Sequence, residues 1–351
     1  MRNRVCRARR KSTRSATPTS GKPSILLEST TYLKFCALRR ADHVATELRT
    51  TLPAPFPAQL PTQLPTQLPA QLPTQLPKFD LHSHSTYSDG LLTPDAVVRR
   101  AAVRGVDVFA LTDHDETAGL AEARAAAQDV GITFIPGAEL SVSWEPHTLH
   151  ILGLQIDATN GTLDAGLASI RSGRDARARK MAAGLAEAGI PGAYEGALAY
   201  VTSERLMSRT HFARFLVQTG HARETKDVFK RFLTPGKPGY VKHAWATLTE
   251  AVEWIHAAGG VAVIAHPGRY KVSPTGMRRL LGEFRDAGGD GIEVLSPSHT
   301  PAQFAEYATY AREFGLAASC GSDYHGPGEG WLDLGDLPDL PAGVTPIWSR
   351  W

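Results

Sequence analysis

The stretch Phe79–Gly90, FDLHSHSTYSDG, sets two histidines one residue apart and an aspartate five residues further on. In an extended strand, residues i and i+2 point to the same side, so His82 and His84 can share one ion. Taken alone, the pair is equally that of two solvent-facing histidines. The rest of the chain adds Asp113 and His114 in LTDHD, Glu139 in GAE, His150 in TLHILG, His266 in AHPGR, and Asp323 and His325 in GSDYH. Nitrogen and carboxylate donors without thiolates suit Mn²⁺, Fe²⁺ or Zn²⁺. Ten such side chains exceed what a single tetrahedral ion takes, so the count points to two or three bridged ions. Ions about 3.5–4 Å apart clamp the attacking and leaving oxygens of an in-line displacement at phosphorus, and they lower the pKa of water from about 15.7 toward about 7.

These residues need a frame that delivers them to one place. From Lys78 onward, β and α patterns alternate. KFDLHSHS reads as a strand, and TPDAVVRRAAVRG as a helix with Thr93 as N-cap, Pro94 at the first turn and Gly105 as its stop. VDVFALTDHD, ITFIPGAEL, HTLHILGLQI, VAVIAHPG, GIEVLSP and LAASCGSDYHG are further strands, most of them separated by helices. This alternation predicts a parallel sheet covered by helices. Five of the seven apolar strands end in His or Asp and a sixth in Glu139. Burying such groups unpartnered costs about 1–3 kcal/mol each, and more for charges. A shared set of cations relieves that cost for all of them together. Residues 159–241 break the rhythm with helical, Arg/Lys-rich segments and are expected to form an inserted cap over the barrel mouth, between barrel parts at 78–158 and 242–351.

Bulk composition narrows the class. Of 351 residues, 42% are hydrophobic and 21% charged, as in soluble globular proteins, and no apolar run is long enough for a membrane span. Three scattered cysteines exclude a disulfide framework and suit a reducing cytoplasm. The first 77 residues carry 12 Lys/Arg against 3 Asp/Glu, whereas the remainder carries 26 against 32. Gln-Leu-Pro recurs five times across residues 59–77. Proline at every fourth position excludes regular helix and central strand, so residues 1–77 are expected to be a disordered, dispensable extension. A basic nucleic-acid arm or a transit peptide is the other reading of that segment.

The ordered set HxH…D, TDHD, GAE, H, AHP and SDYH resembles the PHP (polymerase and histidinol phosphatase) family from residue 79 to about 340. The resemblance implies a distorted (β/α)7 barrel with a trinuclear site. It implies one ion on His82, His84, Glu139 and Asp323, a second on Asp89, His114 and His266, and a third on His150 and His325 with Glu139 bridging. Mn²⁺ is the first expectation for these ions, ahead of Fe²⁺ or Zn²⁺. Asp113 is implied to orient a ligand imidazole, with a role in folding alone as the equal alternative. Within the family, SRTHFARFLV, TPGKPGYV and GGVAVIAHPGRY resemble bacterial nucleoside 3′,5′-bisphosphate phosphatases that also act as 5′→3′ exoribonucleases on short RNA.

For such a substrate Arg209, His211, Arg214, Lys237 and Arg269 are the expected phosphate collar, because guanidinium groups bind phosphate bidentately. The run Arg171, Arg174, Arg177 and Arg179 reads as a solvated helix face, Tyr240 and Tyr270 as packing, and His243 and His299 as surface residues. The expected partners are a nucleotide and short single-stranded RNA. The alternatives are phosphatase action on a small monoester such as histidinol phosphate, or a non-catalytic nucleic-acid binder acting through the basic N-terminus.

Overall fold

The computed structural model describes residues 76–144, 146–201 and 206–351; the expected extension, but for its last two residues, lies outside that range. Seven strands occur in one sheet whose spatial order is the chain order: β1 (Phe79–Asp80), β2 (Val108–Leu111), β3 (Thr133–Trp144), β4 (His147–Leu154), β5 (Val261–Ile264), β6 (Gly291–Leu295) and β7 (Ala317–Cys320). The expected parallel sheet fails at β4, which runs antiparallel to both β3 and β5. The reason is the length of the connection. β3 ends at Trp144 and β4 begins at His147, whereas a parallel crossover needs roughly a dozen residues.

The sheet curls until its first and last strands meet. Leu81 N–H donates to Cys320 O at 3.0 Å and His84 N–H to Tyr324 O at 2.8 Å, nearly closing a barrel. At this seam Gly321 is required for space: a Cβ there would lie 2.2 Å from the Cβ of His82. One face of the sheet, with Phe109, Leu140, Ile151 and Ile264, packs against α1 (Pro94–Val103), α8 (Leu248–Ala257) and α9 (Pro274–Asp286). Leu81, Ala110, Ile135, Leu152, Val263 and Ala317 form a separate cluster with Ile347 from the C-terminal 3₁₀ turn, whose Trp348 stacks on Phe79 at 3.7 Å.

α3 (Gly161–Ser172) packs into the barrel's cluster through Leu163 and Leu167. α4 (Arg174–Glu187), α5 (Ala193–Leu198) and α6 (Arg209–Gln218) instead share their own core of Met181, Leu185, Tyr194, Phe212 and Leu216. Among the described residues, no helix is long and apolar enough to cross a membrane.

His299, expected at the surface, is 3% exposed. Its Nδ1–H donates to Val294 O, and its Nε2 accepts from Gly268 N–H at 3.0 Å, pinning the turn that follows His266. Burial holds its pKa down to about 4, and a proton on Nε2 would face the Gly268 N–H. Because the folded-state value lies below the ordinary 6.5, the unfolded chain binds the proton first, so stability is lost as pH falls from 6.5 toward 4. The stability advantage of wild type over His299→Gln should therefore shrink over that interval, by an amount on the order of 3 kcal/mol at its lower end, as read from urea midpoints at each pH.

Candidate metal centre

The segments that follow β1, β2, β5 and β7 carry much of the chemistry, and Glu139 and His150 project from within β3 and β4. After β1, a tight loop presents His82, His84 and Asp89. It is held by Asp113, whose carboxylate accepts from Ser85 N–H at 2.7 Å, Ser85 Oγ–H at 2.6 Å and Ser88 Oγ–H at 2.5 Å. Gly90 lets the loop fold onto itself, since a Cβ there would meet His84 O at 2.4 Å. Asp113 therefore shapes the loop and reaches His84 only through Ser88 Oγ, 3.5 Å from His84 Nδ1. Of the two roles expected for it, orienting an imidazole or folding the loop, these contacts are those of the second.

Four atoms converge from the β1 loop, the middle of β3 and the segment after β7. His82 Nε2 lies 3.3 Å from Glu139 Oε2 and 3.4 Å from Asp323 Oδ1, and His84 Nε2 lies 3.2 and 3.3 Å from the same two oxygens. The two Nε2 atoms are 3.2 Å apart. A tetrahedral ion with bonds of about 2.0–2.1 Å needs ligand atoms about 3.3–3.4 Å from each other. Five of the six edges of the group have that length.

A second group joins His84, Asp89, His114 and His325, with His325 Nε2 3.3 Å and His114 Nε2 3.8 Å from Asp89 Oδ1. On its far side, Glu139 Oε1 lies 2.8 Å from His150 Nδ1 and 2.9 Å from His266 Nε2, while Oε2 is 3.0 Å from His114 Nδ1. Glu139 is thus the shared member. His266 and His325 exchange the partners expected for them. β5 neighbours β4, where Ala265 N–H bonds His150 O, so His266 falls beside His150. β7 neighbours the β1 loop, where Leu91 N–H bonds His325 O, so His325 falls beside Asp89.

These residues fit cations on the structure's own terms. Asp89 Oδ1, His114 Nδ1, Glu139 Oε2 and Asp323 Oδ1 are buried and make no hydrogen bond among the described residues. Burial would raise Glu139, Asp89 and Asp323, yet the surrounding imidazoles hold all three well below the usual carboxylate range. Burial would lower His84, but the Asp323 and Glu139 carboxylates beside it push it up to about 10. A proton there does in part what a divalent ion does for the whole group. Burial, then the nearby Arg269, drives His266 down to about 3, leaving a neutral imidazole. His266 (φ 30°) and Asp323 (φ 47°) both hold left-handed backbone, a strain that concentrates at functional sites.

Sequence reasoning missed Glu293. It is fully buried in β6, accepts from His82 Nδ1–H at 2.9 Å and from His266 N–H at 2.5 Å, and so aims His82 Nε2 inward. Its only signal was an acid inside the apolar run GIEVL. Tyr270 packs as expected: its hydroxyl accepts from His150 N–H and donates to Ala265 O.

The expected phosphate collar is only partly assembled. Asp89, His114, His150 and His325 face a cavity of about 100 Å³ whose other wall carries Arg174, Arg177, Arg209 and Arg269. Lys237 is exposed and lines neither this cavity nor its larger neighbour. His211 is fully buried at the start of α6, where its Nδ1 accepts from Ser208 N–H to complete a capping box. Arg214 pairs with Glu329 at 3.0 Å and donates to Asp89 O at 2.6 Å. His211 and Arg214 thus brace the site and do not face it. Arg269 lines the cavity but bonds Asp323 Oδ2 at 2.8 Å.

The arginine run also departs from a solvated face. The helix breaks at Gly173, so Arg174 and Arg177 turn inward while Arg179 stays out with Asp175. Arg174 pairs with the buried Asp115, and Arg171 donates to Asp115 O at 2.8 Å. Arg177 is 7% exposed, and among the described residues no carboxylate pairs with it or with Arg209. Burial and then repulsion from Arg209 and Arg174 lower Arg177 to about 9. Among the described residues, these two guanidiniums share the cavity with no carboxylate partner, a charge balance that suits an anion.

Glu293→Gln should weaken divalent-ion affinity roughly ten- to a hundredfold without unfolding the chain, as measured by competition with a chelating dye.

Residues 80–272 match the PHP domain. A 3′,5′-nucleoside bisphosphate phosphatase of Chromobacterium violaceum is 54% identical over 271 residues, covering 77% of this chain and 95% of that protein. The 5′-3′ exoribonuclease Rnm of Escherichia coli is 45% identical over 275 residues, covering 78% of this chain and 93% of that protein. The solved structure of a C. violaceum amidohydrolase with bound sulfate and no metal matches at a TM-score of 0.75 and 54% identity, over 77% of this chain and 94% of that one.

Proposed function

This chain belongs to the PHP family, and from that membership and the geometry of its ligand groups we propose a metal-dependent phosphoesterase that removes the 3′-phosphate of nucleoside 3′,5′-bisphosphates and shortens 5′-phosphorylated RNA from its 5′ end. The observation that carries the metal chemistry is the near-tetrahedral spacing of His82, His84, Glu139 and Asp323, at 3.2–3.4 Å. The observation that carries the substrate class is the pair Arg177 and Arg209 in the cavity that Asp89, His114, His150 and His325 face.

By this reading His82, His84, Glu139 and Asp323 hold one ion, Asp89, His114 and His325 a second, and His150, His266 and Glu139 a third, with Mn²⁺ the native metal. When bound, the ions supply Lewis acidity to the scissile phosphate and acidify the attacking water. The chain's own part is positioning. Arg177 and Arg209 take the 5′-phosphate, which supplies the counter-charge they lack and fixes how far the 3′-phosphate sits from the ligand groups. Arg174 faces the Trp245 ring at 4.9 Å and, through Asp115, ties α4 to the β3 segment that bears Glu139. In the reaction a water oxygen bonds to phosphorus, the P–O3′ bond breaks, and the 3′-oxygen leaves carrying a proton. A single-phosphate substrate such as histidinol phosphate would leave the two arginines unanswered.

Exhaustive chelation should abolish hydrolysis of adenosine 3′,5′-bisphosphate, Mn²⁺ should restore it, and Asp323→Ala should not be restorable. Hydrolysis that persists in chelator would end the reading. Separately, Arg177→Ala and Arg209→Ala should each lower kcat/KM on the bisphosphate roughly ten- to a hundredfold, with little change on p-nitrophenyl phosphate. Equal losses on both substrates, or a preference for histidinol phosphate, would remove the two-phosphate assignment.

A further inference from the structure

The ligand groups open on two sides. Asp323 and His325, with Arg269, Thr210 and Phe229 shared from the arginine cavity, also line a second cavity of about 540 Å³. Its volume lies within the range of roughly 300–1,000 Å³ typical of ligand sites. Its character differs from the first. Lys226, Ser298 and Trp331 line it, and Trp331 is 72% exposed. That indole is nonetheless oriented, because its N–H donates to Pro297 O at 2.9 Å. Of the cavity's two carboxylates, Asp323 belongs to the ligand groups and Glu329 is paired with Arg214, so neither is free to repel a phosphodiester.

We propose that this groove seats the second nucleotide of an RNA substrate, with its base stacked on Trp331; the assignment rests on the nucleotide chemistry proposed above. The argument follows the bond that breaks. In a 3′,5′-bisphosphate and in a 5′-phosphorylated RNA, the same P–O3′ bond is cut, and the 3′-oxygen leaves with the first nucleotide. The substrates differ only in what else the phosphorus carries: an oxygen in the bisphosphate, the rest of the chain in RNA. With the 5′-phosphate on Arg177 and Arg209 and the phosphorus at the ligand groups, the second nucleotide must leave on the side lined by Asp323 and His325. An oriented, water-facing indole there stacks any base without reading its sequence. Lys226, exposed at the same cavity, suits the next phosphate.

The test uses the full chain and two substrates. Trp331→Ala should lower kcat/KM on a 5′-phosphorylated dinucleotide and on a short oligoribonucleotide about tenfold, and change it less than about threefold on adenosine 3′,5′-bisphosphate. Trp331→Phe should recover most of the loss. In chelator, where nothing turns over, the affinity of the Ala variant for a labelled 5′-phosphorylated oligoribonucleotide, read by anisotropy, should fall by the same factor. RNA cleavage and binding that match wild type would overturn the proposal, as would equal losses on both substrates while wild type remains active on each. A wild type inactive on both nucleotides would instead remove the reading beneath it, and this groove's role with it.

Discussion

Glu139 is buried beyond reach of water, and five imidazoles lean on its two oxygens. A carboxylate so placed is tolerable only because positive charge surrounds it, and those imidazoles are tolerable only because it is negative. Everything else in the catalytic half of the molecule serves this mutual dependence. β3 delivers Glu139, β1 and β7 bring His82, His84 and Asp323 to one oxygen, and β4 and β5 bring His150 and His266 to the other. Protons settle part of the balance in the free protein, and divalent ions settle it more completely, because one ion answers several donors at once.

How the strands are ordered decides which donors can meet. The ligand residues themselves were legible in the sequence, since histidine and aspartate at the ends of apolar runs have few structural reasons to be there. Their grouping was not. It depends on which strand ends are neighbours, and the antiparallel β4 and the β1–β7 seam set that order through backbone pairing, which leaves little trace in local composition. The alternation of strand and helix gave the barrel; the six residues between ITFIPGAEL and HTLHILGLQI, too few for a crossover, were the sign that it could not be parallel throughout.

Supporting residues were harder to read, for three different physical reasons. Glu293 is one acid in a strand, indistinguishable by pattern from a residue on a wet face. Arg174 and Arg177 depend on helical phase, and counting charges in a run ignores the break at Gly173. His211 and His299 satisfy backbone groups, one in a helix cap and one in a turn, and a histidine's sequence neighbours do not say whether its ring nitrogens will find such partners. Glu293, Arg174 and His299 take their roles from partners far along the chain, His82, Asp115 and Gly268.

The seam between β1 and β7 carries a mechanical implication. β1 is two residues long, so the first and last strands are joined by few backbone bonds, and the barrel is weakest at that edge. His82 and His84 stand on one lip of it, Asp323 and His325 on the other. A cation gripped by both lips is a rivet across the weakest join, and it shortens the loop that an unfolding chain could open. On the proposed ligand set, amide protons around Leu81 and Cys320 would therefore exchange more slowly when the site is loaded.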